Sequence, residues 1–318
     1  MFADTVVAEN RLKNPLFLAG IALAIAAVIW LLNPTVLMQR LLEQEDDIGQ
    51  MQRVIVSGAV AGAIAINLLV LSLLPRMVQR VLVYAELFAI VLAFAAVFDL
   101  DFAFIVGKLP YMVSQGVVTT LYVSAISIVI AFCVAMLAAI AKLSTSELAR
   151  SVATFYTSVF RGLPLLMQLF LIYLGLPQLG FNITALPAGI IALSLYYGAY
   201  MTEIFRAGIM SIPQGQWEAS RALGFGFGRT MMRIILPQAV PVVVPPTGNM
   251  FIAILKDSSL VSVIGIWELM YLSRNLGSAT FNHMEMLLTA AAIYWILTII
   301  LEIGQSKLER HYSRSSSR

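Results

Sequence analysis

Charge is scarce in this sequence. Asp, Glu, Lys and Arg make up 12% of the 318 residues, against about 25% in an ordinary soluble domain. There is one cysteine, Cys133, so no internal disulfide can form, and its place in an apolar run predicts a small buried side chain. The two histidines, His283 and His311, fall in no cluster with metal-ligand spacing. No Gly-x4-Gly-Lys-Ser/Thr run occurs: Gly107-Lys108 is followed by Leu109 and has no glycine at the required distance before it. No nucleophile motif is present, which leaves a membrane enzyme little support. A disulfide scaffold, a metal site and a P-loop on this chain are thereby excluded, and catalysis has no visible apparatus.

Hydrophobic residues are abundant instead. They form 60% of the chain, and the mean hydropathy is +0.89. Residues 14–39, 54–75, 109–141, 162–202 and 234–255 hold no charged residue at all. Each window can supply at least one membrane-crossing helix, which needs about 20 apolar residues. The fold class is therefore an all-α polytopic membrane protein. Eight spans are expected, at about 16–32, 54–74, 81–98, 113–141, 165–180, 186–208, 236–256 and 286–303. The first has no clear small-residue cleavage site and reads as a retained helix.

The sparse cations set the orientation. With a cytoplasmic N-terminus, fifteen of the 20 Lys and Arg residues fall on cytoplasmic segments and five, Arg40, Arg53, Lys108, Lys256 and Arg274, fall outside. The reverse topology inverts this ratio, so the positive-inside bias selects cytoplasmic termini. The same bias accounts for the net charge of +3 without a nucleic-acid partner. Residues 1–108 hold three spans whose only polar intramembrane residues are Asn67 and Glu86, and Glu86 is expected to snorkel to the interface or pair with Arg80. Residues 109–305 hold five spans, and 306–318 form a cytoplasmic tail.

Between spans six and seven, at 211–236, lies an unusual cytoplasmic loop. Gln216–Leu223 reads as a short helix stopped by Gly224, which can take the left-handed conformation that ends a helix. A second short helix from about Arg229 leads into the membrane at Pro237. The expected product is an L-shaped helix pair exposing Trp217, Phe225, Phe227 and several arginines, suited either to binding a protein or to resting as an amphipathic interfacial helix on lipid head groups.

Glu218-Ala219-Ser220, Gly224 after three residues, and Ile234-x-Leu236-Pro237 after nine more resemble the E-A-A-x3-G-x9-I-x-L-P loop of ABC importer membrane subunits. Only Ser220 departs, standing where that pattern has Ala. Arg161-Gly-Leu-Pro-Leu-Leu-Met-Gln168, Tyr200-Met-Thr-Glu-Ile-Phe-Arg206 and Leu255-Lys-Asp-Ser-Ser-Leu260 are similar to the polar amino-acid permease branch, the histidine/glutamate/glutamine/arginine/opine type. The resemblance covers about residues 110–305. It implies a five-span permease core, here preceded by a three-span extension that the family does not explain. It also implies a second permease subunit, identical or similar, and two cytoplasmic ATPase subunits that carry the ATP and Mg. A periplasmic or extracellular amino-acid-binding protein and a bacterial inner-membrane location complete the expectation, with no cofactor on this chain. Glu218, Ala219, Ser220, Gly224, Ile234, Leu236 and Pro237 would then transmit force and carry no chemistry.

For the substrate pathway the residues themselves suggest candidates. Prolines at 237, 241, 245 and 246 free the carbonyls of Pro237, Pro241 and Val242 from helical bonding, and such backbone is tolerated at membrane depth only inside protein or along a polar cavity. Asn249, Lys256, Asp257 and Ser258 follow. An amino acid needs an anion partner and a cation partner, and Lys256 with Asp257 offers both, or else the two pair with Glu268 or Arg274. Glu203 and Arg206, three apart on one helix face, read as a structural pair near the loop, with Glu203 a lesser pathway candidate beside Gln168. The rival class is an ion-coupled secondary amino-acid transporter using Glu86 and Glu203. Such carriers often have inverted repeats, and no internal repeat is visible here.

Overall fold

The computed structural model describes residues 50–97 and 100–316. The expected span at 16–32 lies outside these residues. The chain divides into two compact units, Met1–Leu100 and Asp101–Arg318. The boundary expected at 108 falls inside a helix of the second unit. Among the described residues every regular element is helical.

In the first unit, α1 (Gln50–Leu73) and α2 (Arg76–Val97) are separated at Pro75, whose ring disfavours helix in the residue before it. Two polar residues within the apolar stretches of this pair find each other. Asn67 donates from Nδ2 to Glu86 Oε1 at 2.8 Å, so Asn67, and not the expected Arg80, is the partner that the structure gives Glu86.

The second unit opens with α3 (Phe102–Tyr111), capped by Asp101, whose carboxylate accepts from the Phe104 N–H at 2.9 Å. Pro110 removes a backbone donor within α3, and a π turn at Met112–Val117 absorbs the irregularity before α4 (Val118–Lys142). The tight turn after Lys142 leads to α5 (Glu147–Gly162), which is amphipathic and buries Ala153 and Thr157. At Leu163-Pro164 the chain bends by 109° into α6 (Leu165–Phe170), a π turn (Leu171–Gly175) and the short α7 (Leu176–Gln178). Then come α8 (Ala185–Met210), α9 (Gln214–Ala222) and α10 (Phe227–Thr230). A π turn at Met231–Ile235 joins α10 to α11 (Leu236–Asp257). A 3-10 segment (Ser258–Ile264), α12 (Leu269–Thr280) and α13 (His283–Ser316) close the unit.

Four stretches are long and apolar enough to cross a membrane: Phe102–Lys142, Ala185–Met210, Phe227–Ile264 and His283–Arg310, with the bent pair of Glu147–Gly162 and Leu165–Gln178 a fifth candidate. They contain the expected spans at 113–141, 186–208, 236–256 and 286–303, and the bent pair covers most of the one expected at 165–180. In the first unit the described apolar stretch is shorter, Gly58–Leu73.

The core is built on α4 against α8, and its currency is small side chains. Ala131, Ala135 and Ala139 of α4 and Ala188, Ala192 and Ala199 of α8 all have no exposed surface, and Ser194 of α8 reaches the Ser127 carbonyl of α4. Small residues let two backbones approach closely, which is how helices associate where apolar lipid removes the hydrophobic drive. Cys133 does not join this interface. It is exposed, which corrects the expectation of burial: its neighbour Ala131 takes the inward position, and a helix turns by about 100° per residue.

Gly198 marks a close approach of α8 to α4 and α5. A Cβ there would sit 2.7 Å from the Tyr156 hydroxyl and 3.3 Å from Val134 Cγ1, while the hydroxyl itself donates to the Leu195 carbonyl at 2.7 Å. Gly198→Leu should lower stability by about 1–3 kcal/mol through overpacking, read as a drop in Tm of the detergent-purified protein. Gly107→Ala, where no atom lies within 4 Å of the added Cβ, should leave Tm within a degree or two of the parent.

Candidate coupling loop and polar core

The loop at 211–236 folds as an L. Helix α9 ends where Gly224 takes φ +75°, a conformation that costs L-residues with a Cβ. The reversal is closed by Gly224 N–H donating to the Arg221 carbonyl at 2.9 Å and Phe225 N–H to the Ser220 carbonyl at 3.1 Å. The chain then runs through α10 and the π turn into α11 without interruption. A small core of Ile209, Ile212, Met231, Ile235 and Ala239, with Trp217 packed against it, fixes the L to the ends of α8 and α11.

Glu218, Ala219, Gly224, Leu223 and Phe227 face outward. Pro237 is exposed, Ile234 and Leu236 are half-buried, and Ser220 is buried. Two expectations about exposure need correction. Trp217 and Phe225 are half-buried, Trp217 because it fills the angle of the L, and Phe225 with the Arg229 guanidinium 5.5 Å from its ring centroid.

Glu203 is a hub beside this loop. Its carboxylate takes Lys142 Nζ at 2.5 Å, Arg206 Nε at 2.9 Å and Arg161 at 3.7 Å. Arg161 also lies 5.3 Å from the Tyr200 ring centroid. Lys142 ends α4, Arg161 ends α5 and Glu203 belongs to α8, so one carboxylate ties three helices. The expected Glu203–Arg206 pair is present; Lys142 and Arg161, 61 and 42 residues away in sequence, join only through the fold.

Farther along α8, the Tyr197 hydroxyl donates to Asp257 Oδ2 at 2.6 Å. Tyr196 stands beside both Tyr197 and Tyr200, with ring centroids 5.3 and 4.9 Å apart, so the carboxylate adjoins an aromatic wall. Lys256 points elsewhere. It is exposed and lines a cavity of about 500 Å³ with Ser259, Tyr294 and Trp295. The expectation that Lys256 and Asp257 form one adjacent charge pair therefore does not hold, because successive helical residues project in different directions. Neither bonds Glu268 or Arg274.

Three other candidates bond within the protein. Gln168 is buried, and its Nε2 donates to the Phe160 and Leu163 carbonyls, each at 2.9 Å. These are the groups that the bend at Pro164 leaves without helical donors, so Gln168 holds the bend. The Ser258 hydroxyl, at the start of the 3-10 segment, donates to the Leu255 carbonyl at the end of α11, 2.7 Å away. Asn249 is exposed and accepts from Gln305 Nε2 of α13 at 2.9 Å. Gln305 Nε2 also lies 3.2 Å from the Pro245 carbonyl, so α13 supports the proline-rich stretch of α11.

A family model for the binding-protein-dependent transport system inner membrane component matches residues 131–314. The chain belongs to this family. It is 40% identical over 213 residues to the arginine transport system permease protein ArtQ of Bacillus subtilis (strain 168), a match that covers 67% of this chain and 97% of that relative. It is 37% identical over 204 residues to the L-cystine transport system permease protein TcyB of the same organism, covering 64% and 87%. Among solved structures, a chain of an amino acid ABC transporter with histidines aligns at TM-score 0.62 and 38% identity, covering 67% of this chain and 99% of that one. A chain of the MetNI methionine ABC transporter in an inward-facing conformation, 20% identical over 64% of this chain and 96% of that one, shares the fold at TM-score 0.56.

The permease is thus a transport subunit, and the ion-coupled alternative falls away. Its relatives are permease subunits of ABC amino-acid importers, in which the ATPase is a separate chain. Among the described residues of the permease no three His, Cys, Asp or Glu side chains are placed to hold a metal.

One residue that the sequence named only in passing, Glu268, proves central. It is fully buried and accepts from the Met270 and Tyr271 N–H groups at 2.9 and 2.7 Å and from the Tyr294 hydroxyl at 2.6 Å. It caps α12 and ties it to α13. An acidic residue just before a helix in an otherwise apolar stretch was the available signal, but nothing in the sequence points from it to Tyr294.

Replacing Glu203 with Ala leaves three cations facing one another without their anion. The loss should be roughly 1–3 kcal/mol, read as a lower Tm. Lys142→Ala in the same chain should recover part of it, since the second change removes one of the unpaired charges.

Proposed function

We propose that this chain is the pathway-forming permease subunit of an ATP-driven amino-acid importer in a bacterial inner membrane. It works with a second permease, two cytoplasmic ATPase subunits that carry ATP and Mg, and an extracytoplasmic amino-acid-binding protein. Eight spans with both termini cytoplasmic fit the distribution of Lys and Arg, and residues 1–108 add three spans ahead of the five-span core. The observation that carries this reading is the L at 211–236, which displays Glu218, Ala219 and Gly224 on an exposed surface while its inner side is welded to α8 and α11. A load applied to that surface moves two core helices together.

Asp257 is the anion partner of the substrate ammonium on this reading. Its carboxylate is half-buried among tyrosines, whose ring faces favour a cation. Lys256, on another side of α11, is the separate anion-attracting group of the pathway, since an intramembrane cation marks a functional route by default. The relatives named for arginine and L-cystine transport support a polar amino acid as the substrate. ATP binding by the partner supplies the energy, and this chain turns the motion of its loop into a change of access.

The experiment replaces Gly224. No atom lies within 4 Å of an added Cβ there, so any penalty comes from φ +75° alone. Gly224→Val should reach the membrane at the parental level but lose ATPase copurification and ATP-dependent uptake of radiolabelled amino acids by at least about tenfold. Gly224→Asn should keep much of both, because Asn tolerates the left-handed region. Full uptake by the valine variant would refute the reading.

A further inference from the structure

The resembled loop pattern carries Ala where this chain has Ser220, and the structure gives the extra oxygen a use. Ser220 Oγ lies 2.5 Å from Thr230 Oγ1. Ser220 is 1% exposed and Thr230 3%, so no solvent competes for the bond. The two residues sit on opposite arms of the L, Ser220 in the last turn of α9 and Thr230 at the end of α10. Between them runs the turn 223–226, with glycines at 224 and 226, and Gly228 follows in α10.

That turn is the weakest part of the lever. Glycine has the largest conformational freedom of any residue, and Gly224, Gly226 and Gly228 have no neighbour within 4 Å of where a Cβ would stand. No packing around the glycines therefore fixes the angle between the arms. The two backbone bonds of the reversal start from residues 220 and 221 and end at 224 and 225, before α10 begins. Trp217 and Met231 brace the inner side through apolar contact, which is not directional. The Ser220–Thr230 bond is directional, closes the L beyond the glycines and leaves two buried hydroxyls unpaired if it breaks.

We infer that the Ser220–Thr230 hydroxyl pair is a clasp that sets the angle of the coupling L, so that the push of the ATPase reaches α8 and α11 instead of being absorbed by the glycine turn. Ser220 and Thr230 are positioning residues and touch neither substrate nor nucleotide. The inference rests on reading 211–236 as the coupling loop and adds how that loop keeps its stiffness.

The test compares Ser220→Ala, Thr230→Val, the double variant and Thr230→Ser in the assembled transporter, reconstituted with its ATPase and binding protein. Amino acid imported per ATP hydrolysed should fall about five- to tenfold in each hydroxyl-deleted variant, the scale of one buried hydrogen bond, while the ATPase still copurifies. The double variant should be no worse than Thr230→Val, and Thr230→Ser, which keeps the hydroxyl, should restore the ratio. Hydrogen exchange of the 216–232 backbone should quicken by a similar factor in Thr230→Val, a readout independent of transport. Parental import ratios and parental exchange in both single variants overturn the clasp, as does an equal defect in Thr230→Ser. Gly224→Val separates the two levels: if it imports normally the coupling reading fails, whereas its loss of import beside normal Ser220→Ala and Thr230→Val defeats the clasp alone.

Discussion

Backbone N–H and C=O groups at membrane depth have no water to bond, and the rest of this structure follows from that constraint. It makes the described chain helical throughout, and it makes each interruption of a helix a place where a side chain must substitute for the missing partner. The 109° bend after Gly162 exposes helix-end carbonyls, and Gln168 covers two of them. In the proline-rich stretch of α11, Thr247 donates to the Val243 carbonyl at 2.7 Å and Gln305 to the Pro245 carbonyl at 3.2 Å, beside the Pro237, Pro241 and Val242 carbonyls that lose their helical donors. The free N–H groups at the start of α12 receive the Glu268 carboxylate.

The second organising fact is the closeness of α4 and α8. Because Ala and Gly fill their interface, the longer polar side chains project around its edges and meet there. Glu203 collects Lys142, Arg161 and Arg206 at the end nearest the loop, and Tyr197 meets Asp257 farther along. Charges that are costly alone in a low-dielectric setting become tolerable in such groups. The hub joins the ends of α4 and α5 to α8, and α8, which carries Tyr197 beside Asp257, continues into the loop.

Much of the architecture was legible in the sequence because it depends on local or periodic features. The charge-free windows located the long helices, Gly224 announced the turn, and the spacing of Glu218 to Pro237 pointed to the family. The substrate candidates were less legible. Asn249, Ser258 and Gln168 looked like pathway residues because polar side chains at membrane depth usually mark function; in the structure Ser258 and Gln168 bond nearby backbone and Asn249 pairs with Gln305. Glu203 was readable as a partner of Arg206, three residues away, and unreadable as a partner of Lys142 and Arg161.

Composition and spacing by themselves determined that this chain is a membrane helix bundle with a loop of two short helices, because hydrophobic length, helix-stop glycines and proline restrictions act within a few residues along the chain. Tertiary structure alone decided which polar groups meet. The direction of a side chain around its helix sends Lys256 and Asp257 apart, and the packing of distant helices brings Tyr294 to Glu268 and Lys142 to Glu203. The turn that separates Ser220 from Thr230 returns their hydroxyls to within 2.5 Å. A hydrogen bond depends on distance and angle in space, and separation along the chain specifies neither until the helices are packed.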